Sequence, residues 1–432
     1  MSNWSRKNFK ENGLLQGDMA LWMVFILLCI ISIVEVYSAT SSMSYNNGPY
    51  WGPVMRHASL VTIGVIIAWF MSMLPCKFYK ILSLGITFLA YITLLWATVS
   101  GRINGAARWV GFGELTFQPS ELAKLGLVSF TAFILSAFRD KNGVTQFGFN
   151  IAAINICLTL LLIVTENLST AAIIFVVMFL MCFYAQAPAK WLAGIIALIV
   201  VVAALGVSFA YSIPESKLDE WRESTGPMHR VPTWVHRITD HQEEPEDPKD
   251  YDIMDNLQVT HAHIAIGTSG FLGCGPGNST ERDYLPQAFS DFIYAIIIEE
   301  GGLLEGGFVM FLYLLLLYRA MRIAQRCKSL FPAYLIMGLA LMIVTQAMIN
   351  MAVAVGAMPV TGQPLPLISR GGTSTFVNCA YIGMMLSVSR SARKVGDNFK
   401  APAEIPETVE EKPEEKPEAM TEGEDIEQNK EA

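Results

Sequence analysis

Apolar residues recur along this chain in runs of about 20, each long enough to cross about 30 Å of hydrocarbon as a helix. Ten such runs fall at roughly 20–40, 57–75, 79–99, 120–138, 148–165, 169–185, 189–212, 288–319, 331–356 and 372–392. The expected fold class is therefore an all-α polytopic membrane protein, with about ten transmembrane helices and one large extracytoplasmic loop between spans seven and eight. Leu21–Thr40 is too long for a cleaved signal and lacks a small-residue cleavage site.

Lysine and arginine in the short connections give the orientation. Arg6, Lys7, Lys10, Lys77, Lys80, Arg139, Lys141, Lys190, Arg319, Arg322, Arg326, Lys328, Arg390, Arg393 and Lys394 fall on one side. Only Arg56, Arg102, Arg108 and Arg370 fall on the other. The expectation is that both termini are cytoplasmic. Three parts follow: a cytoplasmic segment 1–19, a membrane domain 20–395 containing the extracytoplasmic loop 213–287, and a cytoplasmic tail 396–432. The tail repeats Glu, Lys and Pro (PETVEEKPEEKPE) and lacks the apolar residues needed to offset chain entropy, so disorder is expected. It is either a solvated terminus or a docking tail.

Composition supports the membrane setting. The chain is 53% hydrophobic and 16% charged, with a mean hydropathy of +0.41. The formal charge of −8 comes from the tail: residues 397–432 carry thirteen acidic and four basic side chains, leaving residues 1–396 at +1. No nucleic acid is expected as a partner. Seven cysteines show no pairing pattern, and only Cys274 lies in an outward segment, so no outward disulfide can form within the chain.

Three features interrupt the apolar pattern. Residues 350–374, NMAVAVGAMPVTGQPLPLISRGGTS, pass from an apolar helix into a loop rich in Pro and Gly. Such a loop between membrane helices is tolerated where it packs in protein or lines a cavity. The outward segment 213–287 starts irregular and charged, then offers a short amphipathic helix at 255–266 and five glycines in Gly267–Gly277. Glu121 and Lys124 open the fourth span at i, i+3 spacing, after Pro119 and Ser120. They share one helix face, as a structural ion pair or as the polar wall of an outward-opening cavity. Glu35, Glu299 and Glu300 are expected to be helix-packing partners.

These residues resemble a known family. VYSATS at 36–41, GAARWVGFGELTFQPSELAKL at 105–125, LPQAFSDFIYAIIIEEGG at 285–302 and MPVTGQPLPLISRGGTS at 358–374 stand in the order of the SEDS proteins (shape, elongation, division and sporulation), most closely the FtsW branch. The resemblance covers residues 15–395. It implies a ten-span glycosyltransferase that polymerises lipid II at the outer face of the bacterial inner membrane. Its implied partners are a class B penicillin-binding transpeptidase and other divisome membrane proteins. It also implies a catalytic Asp291 and a substrate-binding set of Arg108, Gln118, Ser120, Glu121, Lys124, Gln258, Ser369 and Arg370. Three departures stand out: Glu166-Asn167-Leu168-Ser169 for the usual Pro-Asp-Leu-Gly, Ser369-Arg370-Gly371-Gly372 for Ser-Tyr-Gly-Gly, and Phe289-Ser290 for His-Thr.

The chemistry has its own logic. Extending a β-linked glycan from an α-linked lipid diphosphate inverts the anomeric centre, so one displacement suffices. A carboxylate takes the acceptor proton while positive groups balance the departing diphosphate. Asp291, just before the eighth span, is either that base or an N-cap. Outward arginines are either solvated or bind diphosphate. A divalent cation (Mg or Mn) near Asp291 would assist the leaving group, but the sequence declares no ligand cluster. The competing classes are a lipid II flippase or transporter, and a non-catalytic scaffold for a transpeptidase.

Overall fold

A computed structural model describes residues 15–47, 52–99, 110–112, 115–164, 167–214, 257–285 and 290–397, with isolated positions between 217 and 235. The acidic tail beyond 397 and most of the charged stretch 213–256 lie outside the described residues.

Each of the ten apolar runs is a helix. They are α1 (Met19–Asn47), α2 (Gly52–Met73), α3 (Cys76–Val99), α4 (Pro119–Ala137), α5 (Gln146–Val164), α6 (Leu168–Tyr184), α7 (Ala189–Ser212), α9 (Ile293–Arg326), α10 (Leu330–Ala354) and α11 (Gly372–Asp397). Between α7 and α9 lies α8 (Leu257–Ser269), shifted by two or three residues from the amphipathic helix expected at 255–266. Among the described residues, seven helices are long and apolar enough to cross a membrane: α1 to α5, α9 and α10. The other three miss that standard for different reasons. Helix α6 has 17 residues, and several side chains in the second half of α7 lie outside the described residues. Helix α11 carries buried polar groups, among them Asn378, Ser387 and Arg390. The protein is an all-helical polytopic membrane protein. Its only sheet among the described residues is two small hairpins, β1 (Val110–Phe112) with β2 (Leu115–Phe117), and β3 (Arg139–Asp140) with β4 (Gly143–Val144).

Helices α4 and α10 are the most enclosed spans and pack on each other, with α9, α6 and α11 around them. Helices α2 and α3 sit at the periphery and expose Phe70, Ile81 and Phe88, as lipid-facing helices do. The small residue Gly338 on α10 would clash with Met181 and Val128 if it gained a Cβ, so close helix approach depends on its size.

Helix α9 is broken. Gly302 has φ +70, and the helical hydrogen bonds released there are replaced by the segment that follows α8. Cys274 and Gly275 donate their N–H groups to the carbonyls of Glu299 and Glu300, both at 2.9 Å. Leu303 and Leu304 donate theirs to Gly270 and Phe271, at 3.2 and 3.3 Å. A broken membrane helix persists when protein takes over its freed polar groups. The approach is too close for side chains: a Cβ at Gly302 would lie 2.2 Å from the Phe271 carbonyl oxygen.

Glu299 and Glu300 fasten the same segment. Glu299 accepts from Ser279 Oγ at 2.5 Å, Thr280 N at 2.9 Å and Oγ1 at 3.1 Å, and Glu281 N at 3.3 Å. Glu300 accepts from Gly277 N at 2.9 Å and from Ser38 Oγ on α1. The expectation of plain helix-packing partners therefore needs correcting for this pair. Among the described residues only the Ser38 bond joins two spans, and the remaining bonds anchor the segment after α8 to α9.

Candidate functional site

The Pro/Gly loop of residues 355–371 leaves α10 and folds back against it. Two amide side chains one turn apart on α10 hold it there. Gln346 Nε2 donates to the Pro364 carbonyl at 2.9 Å, and Asn350 Nδ2 donates to the Gln363 carbonyl at 2.8 Å. Gln363 Nε2 reaches Thr170 Oγ1 on α6 at 3.0 Å. Ser369 Oγ takes the Leu365 N–H at 2.8 Å and donates to the Ser290 carbonyl at 2.6 Å. Ser32 Oγ on α1 donates to the Ile368 carbonyl at 2.6 Å and lies 2.9 Å from His57 Nε2. Leu367 has φ +68, a left-handed conformation that costs on the order of 1–3 kcal/mol for a side chain of this kind. The buried loop holds it there.

Asp291 stands beside this loop, half-buried at the start of α9. Ser290 Oγ donates to its Oδ1 at 2.7 Å. Asn350 Nδ2 donates to its main-chain carbonyl at 2.7 Å. A Cβ on Gly362, itself at φ +64, would lie 3.5 Å from Oδ2. Asp291 does not cap the helix: α9 starts at Ile293 with Phe292 in the cap position and no side-chain cap bond. Among the described residues Oδ2 has no hydrogen-bond donor, and it faces the glycine where the chain carries no side chain.

Lys124 and Glu121 form the ion pair expected from their spacing, with Nζ 2.8 Å from Oε1 and both residues at most 3% exposed. Lys124 Nζ also donates to Gln346 Oε1 at 2.8 Å. A continuous polar path thus runs from Glu121 through Lys124, Gln346, the loop carbonyls and Asn350 to Asp291. Glu121 Oε2, Ser120 Oγ and Asn350 Oδ1 are buried along it without a protein partner among the described residues. Buried groups of this kind stay charged or polar only when something polar meets them.

The remaining expected site residues divide. Ser369 is part of the loop's bonding. Gln118 donates its N–H to Thr373 Oγ1 at 3.4 Å, joining the start of α4 to α11. Arg370 is half-buried next to this network. Burial and the neighbouring Arg56 guanidinium lower it from the ordinary arginine range. Gln258 is exposed on α8 and makes none of these bonds. Arg108 lies outside the described residues. Among the described residues no group of three His, Cys, Asp or Glu side chains is placed to hold a metal ion.

Gln346, Asn350, Gln363 and Thr170 were missed in the sequence. Their signal was present in the first two: an amide pair at i, i+4 inside the apolar run 331–356, where polar side chains are unfavourable unless they have work to do.

A helical membrane protein with a half-buried carboxylate, a strained polar loop and a buried ion pair joined in one network is the class these features define. The family model of the FtsW, RodA and SpoVE cell cycle proteins matches residues 18–394, and the chain belongs to that family. It is 31% identical over 385 residues to the stage V sporulation protein E of Bacillus subtilis, covering 87% of this chain and 98% of that protein. It is 28% identical over 378 residues to the probable peptidoglycan glycosyltransferase FtsW of Coxiella burnetii, covering 85% and 95%. Among solved structures, it matches a chain of a peptidoglycan synthase complex at a TM-score of 0.68, with 23% identity and coverage of 87% and 98%. It matches the rod shape determining protein RodA of Thermus thermophilus at 0.59, with 23% identity and coverage of 87% and 97%.

Proposed function

We propose that this protein is a peptidoglycan glycosyltransferase that polymerises lipid II at the outer face of the inner membrane, in division or elongation. The observation that carries the proposal is Asp291. Its Oδ1 is occupied by Ser290, its backbone is held by Asn350, and Oδ2 is left toward Gly362.

In this reading Oδ2 takes the proton from the acceptor sugar's hydroxyl as that oxygen attacks the anomeric carbon of the donor. The bond to undecaprenyl diphosphate breaks on the opposite side, which inverts the centre in one step. Arg370 and Arg108 balance the charge that builds on the departing diphosphate. Glu121 and Lys124, enclosed beneath the site, support the loop beside Asp291 through Gln346, with Ser120, Gln118 and Ser369 around them as the polar edge offered to the sugars and Gln258 on the loop side. The orientation proposed from the basic bias has both termini and the tail in the cytoplasm, the loop 213–287 outside, and the chain at the septum with a class B transpeptidase and other divisome membrane proteins.

The break in α9 is the feature a lipid transporter would share, since transporters bind at unwound helices. Here the freed groups at Gly302 are taken by residues 270–275, which favours a structural break.

The test is the purified protein with lipid II, with and without its transpeptidase, beside Asp291→Asn. Asn keeps the shape and any capping capacity of Asp but cannot accept the proton. The parent should make glycan polymer, and the variant should fall by about 10²–10⁴-fold at normal folded yield. Near-parental polymer from Asp291→Asn would remove the base and favour a scaffold or transporter.

A further inference from the structure

Asn350 lies on an apolar helix, 1% exposed, where leucine would pack at no polar expense. Its amide nitrogen has two hydrogens and both are used: one on the carbonyl of Asp291 at 2.7 Å, the other on the carbonyl of Gln363 at 2.8 Å. One side chain thus ties the segment carrying the carboxylate to the loop facing it. The next amide on the same face, Gln346, performs the matching task one turn earlier, joining the adjacent carbonyl of Pro364 to Lys124. A further tie from the loop to the Asp291 segment is Ser369, whose hydroxyl donates to the Ser290 carbonyl at 2.6 Å.

We infer that Asn350 is a positioning residue that fixes where the Asp291 carboxylate stands against the loop at Gly362. This rests on the glycosyltransferase reading of Asp291. Asn350 does not reach the carboxylate, so it acts through the backbone of Asp291. The residue type is demanded by the geometry. Only a neutral amide offers two hydrogens to two carbonyls at this reach. Aspartate has the same shape, but when ionised it offers two acceptors to two acceptors. Serine offers one donor for two. A shift of about 1 Å in a reacting group lowers rates by about 10²-fold, so the predicted effect lies in turnover and leaves substrate affinity alone.

The experiment compares the parent, Asn350→Ser and Asn350→Asp as full-length chains with the transpeptidase, measuring kcat and KM for lipid II and amide hydrogen exchange. Both variants should lower kcat, Asn350→Asp by about 10²-fold and Asn350→Ser by less, with KM within about twofold of the parent. Exchange should quicken at 290–292 and 361–363 and stay parental in α1 to α3. If Asn350→Asp is not recovered folded, Asn350→Ser alone decides. A parental kcat would overturn the proposal. A raised KM at unchanged kcat would do so as well, since it would place Asn350 in substrate binding. So would unchanged exchange at both segments, because the tie would then be idle. A parent that makes no polymer sinks the glycosyltransferase reading, while the exchange result still judges the tie.

Discussion

Replacing Lys124 with methionine perturbs one of the two most enclosed charges among the described residues. Lys124 is 1% exposed, its Nζ sits 2.8 Å from Glu121 Oε1 and 2.8 Å from Gln346 Oε1, and Glu121 Oε2 has no other protein partner. Without the ammonium, Glu121 is a buried carboxylate with nothing to answer it. Breaking a buried pair from one side typically costs about 3–5 kcal/mol. The reverse change, Glu121→Gln, is milder, because Lys124 keeps its bond to Gln346. A hydrogen bond to a charged group contributes about 1.5–3 kcal/mol, so the loss for Glu121→Gln should be about 1–3 kcal/mol. Removing both charges, in Glu121→Gln with Lys124→Met, should return stability to within about 1 kcal/mol of the parent, since apolar replacement of a whole buried pair is often neutral.

The assay is thermal unfolding of the purified chain in detergent, followed by tryptophan fluorescence. Lys124→Met should melt lowest, about 5 °C below the parent, with Glu121→Gln between it and the double variant. Equal melting of the two single variants would refute the role given to Gln346. A double variant less stable than Lys124→Met would refute the ion pair as the source of the loss.

Other outcomes follow from the segment after α8 and its anchor on α9. Gly302→Ala puts a Cβ 2.2 Å from the Phe271 carbonyl at a φ of +70, so it should lower folded yield, whereas Gly307→Ala, with open space around it, should not; equal yields would refute the clamp in α9. Cys274 is exposed, but its thiol is raised from the ordinary range by desolvation and by the carboxylates of Glu299 and Glu300. A raised thiol holds less thiolate at a given pH, so an impermeant maleimide should label it in intact spheroplasts slowly at neutral pH and faster as pH rises beyond the usual thiol range. Labelling that needs an opened membrane would reverse the orientation.

The fold was largely legible because hydrocarbon demands apolar runs of a fixed length, and ten runs became ten helices. The Glu121–Lys124 pair was legible for a related reason, as spacing on a helix fixes which side chains meet. Long-range partners were not legible. Nothing local says that Glu299 will meet Ser279, or that Asn350 will meet Asp291, 59 residues away. The break at Gly302 was hidden as well: Gly301-Gly302 lies within an apolar run, and only residues 270–275 give it a use. The amides of α10 could have been found by asking why a membrane span keeps Gln346 and Asn350 on one face.

The departures from the family pattern are explained to different degrees. Asn167 stands where the SEDS pattern usually has aspartate. Its Oδ1 accepts the Thr170 N–H at 3.0 Å, capping α6. Asparagine caps as well as aspartate, so the cap survives the loss of charge. Thr170 in turn receives Gln363 from the Pro/Gly loop. The chain Asn167–Thr170–Gln363 therefore supports the same loop that Asn350 ties to Asp291, and position 167 acts in this protein as a support without a charge. Arg370, in place of tyrosine, adds a cation where the loop meets α2. Because Glu166 takes the place of the usual proline, the acidic charge beside position 167 is moved by one residue rather than lost, and of the two departures only Arg370 changes the net charge.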